Sequence, residues 1–324
     1  MSIALIIFFV SFIVTFFISP WTILQLTKSG IVGKDLHKPG QPEVAEMGGL
    51  VIVAGFSAGI VLAIAIKVFF SQIIALDLIS TFAVLSTVLL IALIGIMDDL
   101  IFLPQSIKAI TPLFASFPLV AIKAGHTVMN LPWIGQVDFG ILYPLFFVPV
   151  GITGAANAVN MLAGFNGLEV GMGIAAMSSL SFIAYFTGAS TSFIVLLAAL
   201  GALIAVLRYN WYPAKLLIGD VGTLSIGAII ASAVILGNFE LAGAIIIIPY
   251  FVDFIFKLCN GLPSKGWEGI YKNGKLYCPS SGPVGLCQLI MKVSGGISEK
   301  ALTSTLIGIE IGFGILAIFV YCFK

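Results

Sequence analysis

Runs of about 20 apolar residues recur along the whole chain, divided by short breaks rich in charge, glycine or proline. About 20 is the number of residues an α-helix needs to cross the hydrocarbon of a bilayer. Reading from break to break places ten helices, near residues 2–26, 48–70, 78–97, 104–123, 141–159, 168–187, 191–209, 221–238, 241–259 and 301–322. An even number puts both termini on one side. The first run, Ser2 to Leu26, is too long for the apolar core of a signal peptide and lacks a charged start, so it reads as a helix.

Composition fits this pattern. Of the 324 residues 60% are hydrophobic and 9% charged, against about 25% charged in soluble domains. The expected fold is all-α: one polytopic domain over residues 1–324, with a long loop at about 260–300. A net charge of +1 gives no reason to expect nucleic acid. Its distribution says more. Lys28, Lys34, Lys38, Lys108, Arg208, Lys215, Lys257, Lys265, Lys272, Lys275, Lys292 and Lys300 fall on one side, and Lys67, Lys123 and Lys324 on the other. By the positive-inside rule the first side is cytoplasmic. Cys259, Cys278, Cys287 and Cys322 show no metal-ligand spacing and read as free thiols.

The polar residues that interrupt the apolar runs gather on the lysine-rich side. Asp98 and Asp99 end an apolar helix, ALIGIMDDL. Adjacent carboxylates at such a boundary are expensive unless a cation or donor compensates them. They point to a metal or cationic-substrate site, and the alternative of a solvated helix end is disfavoured by the helix dipole. In NAVNMLAGFNGLE, Asn157 and Asn160 share a helix face, Gly164 and Gly167 permit positive φ or close ligand approach, and Asn166 and Glu169 follow. Amides supply oxygen to a hard cation or read a base edge; helix packing is the alternative. Asp220, after Gly219 in AKLLIGD, is either a ligand or an N-cap. Three carboxylates and an amide on one face form an oxygen set suited to Mg²⁺, with Mn²⁺ as a substitute. Lys108 is open to three readings: a partner for Asp99, a phosphate contact or a positive-inside anchor. Glu46 precedes the second helix. His37, in KDLHK, reads by itself as a surface residue, and His126 falls on the far side.

Together these segments resemble the polyprenyl-phosphate N-acetylhexosamine-1-phosphate transferase family. The match runs through KDLHK, EMGG, GIMDDL, NAVNMLAGFNGLEVG and RYNWYPAKLLIGD in family order, the last two being most like the dolichyl branch. The resemblance implies a ten-helix bundle in a cell membrane whose cytoplasmic face moves GlcNAc-1-phosphate from UDP-GlcNAc to a polyprenyl, dolichyl-type phosphate and releases UMP. It implies Asn160 and Asp220 as Mg²⁺ ligands, Asn166 on the uracil with Gly164 and Leu217 bracketing the ring, and Lys108 on phosphate. Asp98 and Asp99 would lie beside the metal and the acceptor phosphate, Glu46 near the sugar, and Asn157 and Glu169 in the substrate site. Bacterial members carry a histidine-rich motif in the last loop and the dolichyl branch carries arginines there. This chain has neither in GLPSKGWEGIYKNGKLYCPSSG, where Lys265 is the nearest basic residue by ungapped alignment. Relatives also suggest a homodimer and, with the dolichyl-like motifs, an archaeal carrier.

Two rival readings stay open on sequence. One is the same chemistry with UDP-MurNAc-pentapeptide or UDP-GalNAc on undecaprenyl phosphate. The other is a lipid or solute transporter, which more often carries its polar groups at the bilayer midplane. Pro249 is expected to bend the helix at 241–259 and open a lateral groove for a prenyl chain. On that helix Asp253 either lines the site or pairs with Lys257 at i,i+4.

Overall fold

A computed structural model describes residues 2–101, 103–131, 134–262 and 266–322. Helix α1 (Ser2–Lys28) shows why the chain folds in a bilayer. Its buried stripe is Ala4, Ile7, Ser11, Thr15, Ser19, Thr22 and Leu26, while Phe9, Ile13, Phe17 and Trp21 face outward. Small and hydroxyl side chains turned inward and large apolar ones outward reverse the soluble pattern. They suit a helix whose solvent is lipid and whose packing depends on close approach.

The strands β1 (Val32–Lys34) and β2 (Glu43–Ala45) pair antiparallel before α2 (Gly49–Phe69) and α3 (Leu78–Ile101). Next come α4 (Gln105–Ala115), α5 (Phe117–Ala121) and the hairpin of β3 (Val128–Leu131) with β4 (Gly135–Asp138). A π-helical turn at Tyr143–Phe147 runs into α6 (Val148–Leu162). The chain continues through α7 (Leu168–Phe186), α8 (Ser190–Asn210), α9 (Gly219–Gly237), α10 (Glu240–Ile246) and α11 (Ile248–Cys259). It ends with the hairpin of β5 (Ile270–Lys272) and β6 (Lys275–Tyr277), the short α12 (Leu286–Val293) and α13 (Glu299–Cys322).

The protein is an all-α, multi-pass membrane protein. Among the described residues eight helices are long and apolar enough to span a bilayer, and α10 with α11 makes a ninth if the bent pair is one span. That is one fewer than the ten expected. The difference lies at 104–123, where Pro112 inside α4 and Pro118 at the start of α5 divide one expected helix into two short ones. Proline lacks the N–H that an unbroken helix donates and crowds the preceding turn. The expected bend at Pro249 is present: α10 and α11 meet at 56°.

Helix α9 is the centre of the bundle, and glycines let its neighbours reach it. A Cβ at Gly95 of α3 would lie 2.5 Å from Val221 Cα, and one at Gly227 of α9 would collide with the Ala155 backbone of α6. These contacts bring α3 and α6 directly against α9.

One buried group works against stability. Glu310, near the middle of α13, is fully buried, and neither carboxyl oxygen has a hydrogen-bond partner among the described residues. An unpaired polar group in such a place costs about 1–3 kcal/mol. Glu310→Met, similar in length and apolar, is therefore expected to raise the thermal unfolding temperature in detergent without lowering turnover. A lower unfolding temperature would show that the carboxyl has a stabilising role.

Candidate active site

The C-terminal end of α3 and the first turn of α9 are joined by one carboxylate. Asp99 accepts the backbone N–H groups of Asp220 at 2.9 Å and Val221 at 3.3 Å. These are among the first N–H groups of α9, which have no partner inside the helix and favour an anion. Gly219 permits this approach: its φ is +63°, and a Cβ there would sit 2.6 Å from Asp99 Oδ2. The sequence left open whether Asp220 caps its own helix. Asp99, from another helix, takes that role and leaves the Asp220 side chain free.

The Asp220 carboxylate gathers the other polar groups. Lys108 Nζ, on α4, lies 2.6 Å from Asp220 Oδ2 and 2.5 Å from Asp98 Oδ2. Lys108 thus pairs with Asp98 and Asp220, not with Asp99. Asn160, in the last turn of α6, donates from Nδ2 to Asp220 Oδ1 and to Thr223 Oγ1, the latter at 2.7 Å. Asp98 also accepts the Leu103 N–H at 2.8 Å. Elements far apart in sequence therefore bring two carboxylates, an amide, a hydroxyl and an ammonium to one point.

This cluster opens into a cavity of about 690 Å³, within the size range of small-molecule sites. Its walls include Glu46, Asn157, Gly164, Asn166, Glu169 and Leu217, so every substrate-site residue expected from sequence and present in the described residues borders it. Lys265 lies outside the described residues. Glu46 and Leu217 are set side by side by backbone pairing: Leu217 N–H donates to Ala45 O, and Gly48 N–H donates to Leu217 O, each at 2.8 Å. Burial first, and then the nearby Asp220 charge, raises the Glu46 pKa above its ordinary value. Gly164 has φ +122°, its N–H donates to Glu169 Oε1, and the Trp267 ring covers the space where its Cβ would be. Asn157 donates to Ala109 O at 3.1 Å and Thr153 O at 2.9 Å, fastening α6 to α4 while bordering the cavity.

Asn166 is held more tightly than its sequence suggested. Its Oδ1 accepts from Lys38 Nζ at 2.7 Å and from Ala214 N–H at 2.8 Å, and its own N–H donates to Glu299 Oε1 at 2.8 Å. Lys38 Nζ also lies 2.5 Å from Asp35 Oδ2 and 3.1 Å from Glu299 Oε2. Two of its N–H donors go to Asn166 and Glu299, and the ammonium sits 4.4 Å from the Tyr212 ring centre. Asp35, His37 and Glu299 bring possible ligand atoms within 4.8 Å of one another, but Lys38 already supplies a cation between Asp35 and Glu299. His37, expected at the surface, is buried and stacked on Phe165 at 4.4 Å. Burial, the largest cause, lowers its pKa to about 4 and keeps the ring neutral near pH 7.

Several residues that build the site carried little signal of their own. Glu299 and Trp267 lie over 100 residues from the segments they touch, and Thr223 stands in an apolar helix. Lys38 belonged to the conspicuous KDLHK run, but nothing there named Glu299 or Asn166 as its partners.

Comparison with known proteins bears on the whole chain. Residues 81–238 match the glycosyl transferase family 4 profile. A protein of Saccharolobus solfataricus is 38% identical over 311 residues, 95% of this chain and 94% of the relative. One of Sulfolobus acidocaldarius is 34% identical over 95% of this chain and 93% of its own. Both bear, provisionally, the name UDP-N-acetylglucosamine–dolichyl-phosphate N-acetylglucosaminephosphotransferase. A Dictyostelium discoideum protein with that name, unqualified, is 27% identical over 89% of this chain and 82% of its own. With identity above 30% across nearly the full length of two relatives, and the polar cluster built from the matched segment, the chain belongs to glycosyl transferase family 4.

Proposed function

We propose that this protein transfers GlcNAc-1-phosphate from UDP-GlcNAc to a dolichyl-type polyprenyl phosphate, releasing UMP, with its site on the cytoplasmic side of the membrane. The observation that carries this is the junction of two unlike cavities. The polar cavity adjoins an apolar one of about 420 Å³, and Asn157, Met161 and Phe254 line both. Gly151, Gly154, Phe147, Ile247 and Phe251 line the apolar cavity, beside the bend between α10 and α11. A charged nucleotide sugar suits the first and a prenyl chain the second, with the phosphates meeting between them. The relatives' names supply the two substrates, and the lysine-rich face supplies the orientation.

We assign Asp220 and Asn160, with Asp98 beside them, to hold a divalent cation. Their carboxylate and amide oxygens are the hard donors Mg²⁺ prefers. The buried Asp98 Oδ2 has no hydrogen-bond partner among the described residues and is compensated by the Lys108 ammonium. When bound, the ion neutralises phosphate oxygens and offsets charge on the departing UMP.

The acceptor phosphate, with a second pKa of about 6, is largely a dianion at neutral pH and needs little base catalysis. One of its oxygens attacks the β-phosphorus, the bond from that phosphorus to the α,β-bridging oxygen breaks, and UMP leaves. Lys108 donates a hydrogen bond to Asp220 and is ion-paired with Asp98, which keeps its ammonium at the cavity wall with N–H capacity for a phosphate. Asp99, spent on two α9 N–H groups, acts as a positioning residue rather than a nucleophile. Asn166 and Gly164 border the space for the uracil, and the Trp267 ring packs against Gly164 in the same cavity wall. Glu46 lies where the sugar would reach.

The test is a panel of UDP-GlcNAc, UDP-GalNAc and UDP-MurNAc-pentapeptide assayed for UMP release against dolichyl and undecaprenyl phosphate. Release with UDP-GlcNAc and dolichyl phosphate in the presence of Mg²⁺ is the expected result. Preference for another sugar or for undecaprenyl phosphate would replace the substrate assignment, and no release with any pair would remove the activity.

A further inference from the structure

Three lysines among the described residues line the polar cavity: Lys34, Lys108 and Lys257. They differ in how they are held. Lys34 is exposed on the β1–β2 hairpin. Lys108 belongs to the Asp98–Asp220 cluster. Lys257 is buried in the last turn of α11, which places an ammonium deep in the wall of a site beside a membrane.

Two contacts fix Lys257. Its Nζ lies 2.8 Å from Asp253 Oδ2, one turn earlier on the same helix, and it donates to the carbonyl oxygen of Met161, next to Asn160. Asp253 is itself anchored by the Leu286 N–H at 2.7 Å, and a Cβ at Gly285 would come within 2.6 Å of it. Asp253 is thus a support behind the lysine and does not line the cavity. An ammonium has three N–H donors; among the described residues Met161 O accepts one of them, and Asp253 is an ion-pair partner. Lys38 shows the contrast, hydrogen-bonded to Asn166 and Glu299, ion-paired with Asp35, and not lining the cavity.

We propose that Lys257, which lines the cavity and has N–H donors left over from its Met161 hydrogen bond, binds the pyrophosphate of the nucleotide substrate. This rests on the proposed function, which brings a nucleoside diphosphate sugar into that cavity. The placement is chemically apt. Lys257 donates to the carbonyl of the residue after Asn160, and Trp267, Phe254 and Leu262 also line the cavity, where apolar walls limit water and strengthen a charge-assisted hydrogen bond. The described part of the loop at 266–285 carries lysines only at Lys272 and Lys275, neither of which borders the cavity. A lysine fixed before binding also spares the ordering cost that the exposed Lys34 would incur.

The experiment compares binding of uridine and of UDP, with Mg²⁺, to the full-length protein in detergent. The variants are Lys257→Met and the double change Asp253→Asn with Lys257→Met, which avoids a lone buried carboxylate and keeps the test open if the single variant folds poorly. The expected result is unchanged uridine binding and UDP binding weakened by about 10-fold or more, the range for a lost hydrogen bond to a charged group. Equal weakening of uridine and UDP would overturn the proposal by showing that Lys257 merely supports the end of α6. Unchanged UDP binding would overturn it directly. Failure of the wild-type protein to bind either compound would instead remove the underlying function.

Discussion

Asp220→Ala is expected to lower turnover by about 10²-fold or more, by comparison with removal of one electrostatic contact from a preorganised site, while leaving the fold intact. The separation of the two effects follows from the geometry. The backbone N–H of Asp220 is held by Asp99 and does not depend on the Asp220 side chain. That side chain borders the cavity and is a quarter exposed, so its removal opens no void in the core. What is lost is the group that holds Lys108 and Asn160 in register. Asn160→Ala should act in the same direction. Exchange of labelled UMP into UDP-GlcNAc, beside a thermal unfolding curve, reads both effects. Wild-type exchange rates in both variants would remove the assigned cation site.

Gly95→Ala is expected to damage fold and activity together. The added methyl would lie 2.5 Å from Val221 Cα and 2.6 Å from Val221 N. These are backbone atoms of the first turn of α9, and no side-chain rotation relieves the clash. Overpacking of this kind costs about 1–3 kcal/mol, occasionally more. The only relief is to move α3 away from α9, and the same first turn carries Asp220 and the N–H groups that Asp99 binds. A shift of about 1 Å in a reacting group can cost about 10²-fold. Gly308→Ala is the control, since a Cβ there meets nothing within 4 Å. If Gly95→Ala matched Gly308→Ala in unfolding temperature and UMP exchange, the close α3–α9 crossing would not be what positions Asp220.

The membrane architecture was legible because it depends on local composition. A helix that must cross lipid needs about 20 apolar residues whatever its neighbours are, and the runs could be counted directly. The exception was the stretch at 104–123, where composition allowed a span but Pro112 and Pro118 broke the helix. Proline acts through the backbone, so its effect escapes a count of apolar side chains. The candidate site was legible as a set of residues for a related reason. Carboxylates and amides are so costly beside an apolar run that Asp98, Asp99, Asn160, Asn166 and Asp220 each stood out from their surroundings.

Pairing was decided by the tertiary structure. Sequence offered Lys108 to Asp99, yet the crossing of α3 with α9 turns Asp99 to the α9 N–H groups and gives Lys108 to Asp98 and Asp220. His37 read as a surface residue because a single histidine in a polar segment carries no sign of burial. Phe165 and the loop at Trp267, distant in sequence, enclose it. The chain by itself fixed which groups are too polar to stay unpaired in a membrane, since that cost belongs to each residue and its local run. Which partner each group found depended on helix crossings set by small residues such as Gly95 and Gly227, and such contacts exist only once the helices have packed.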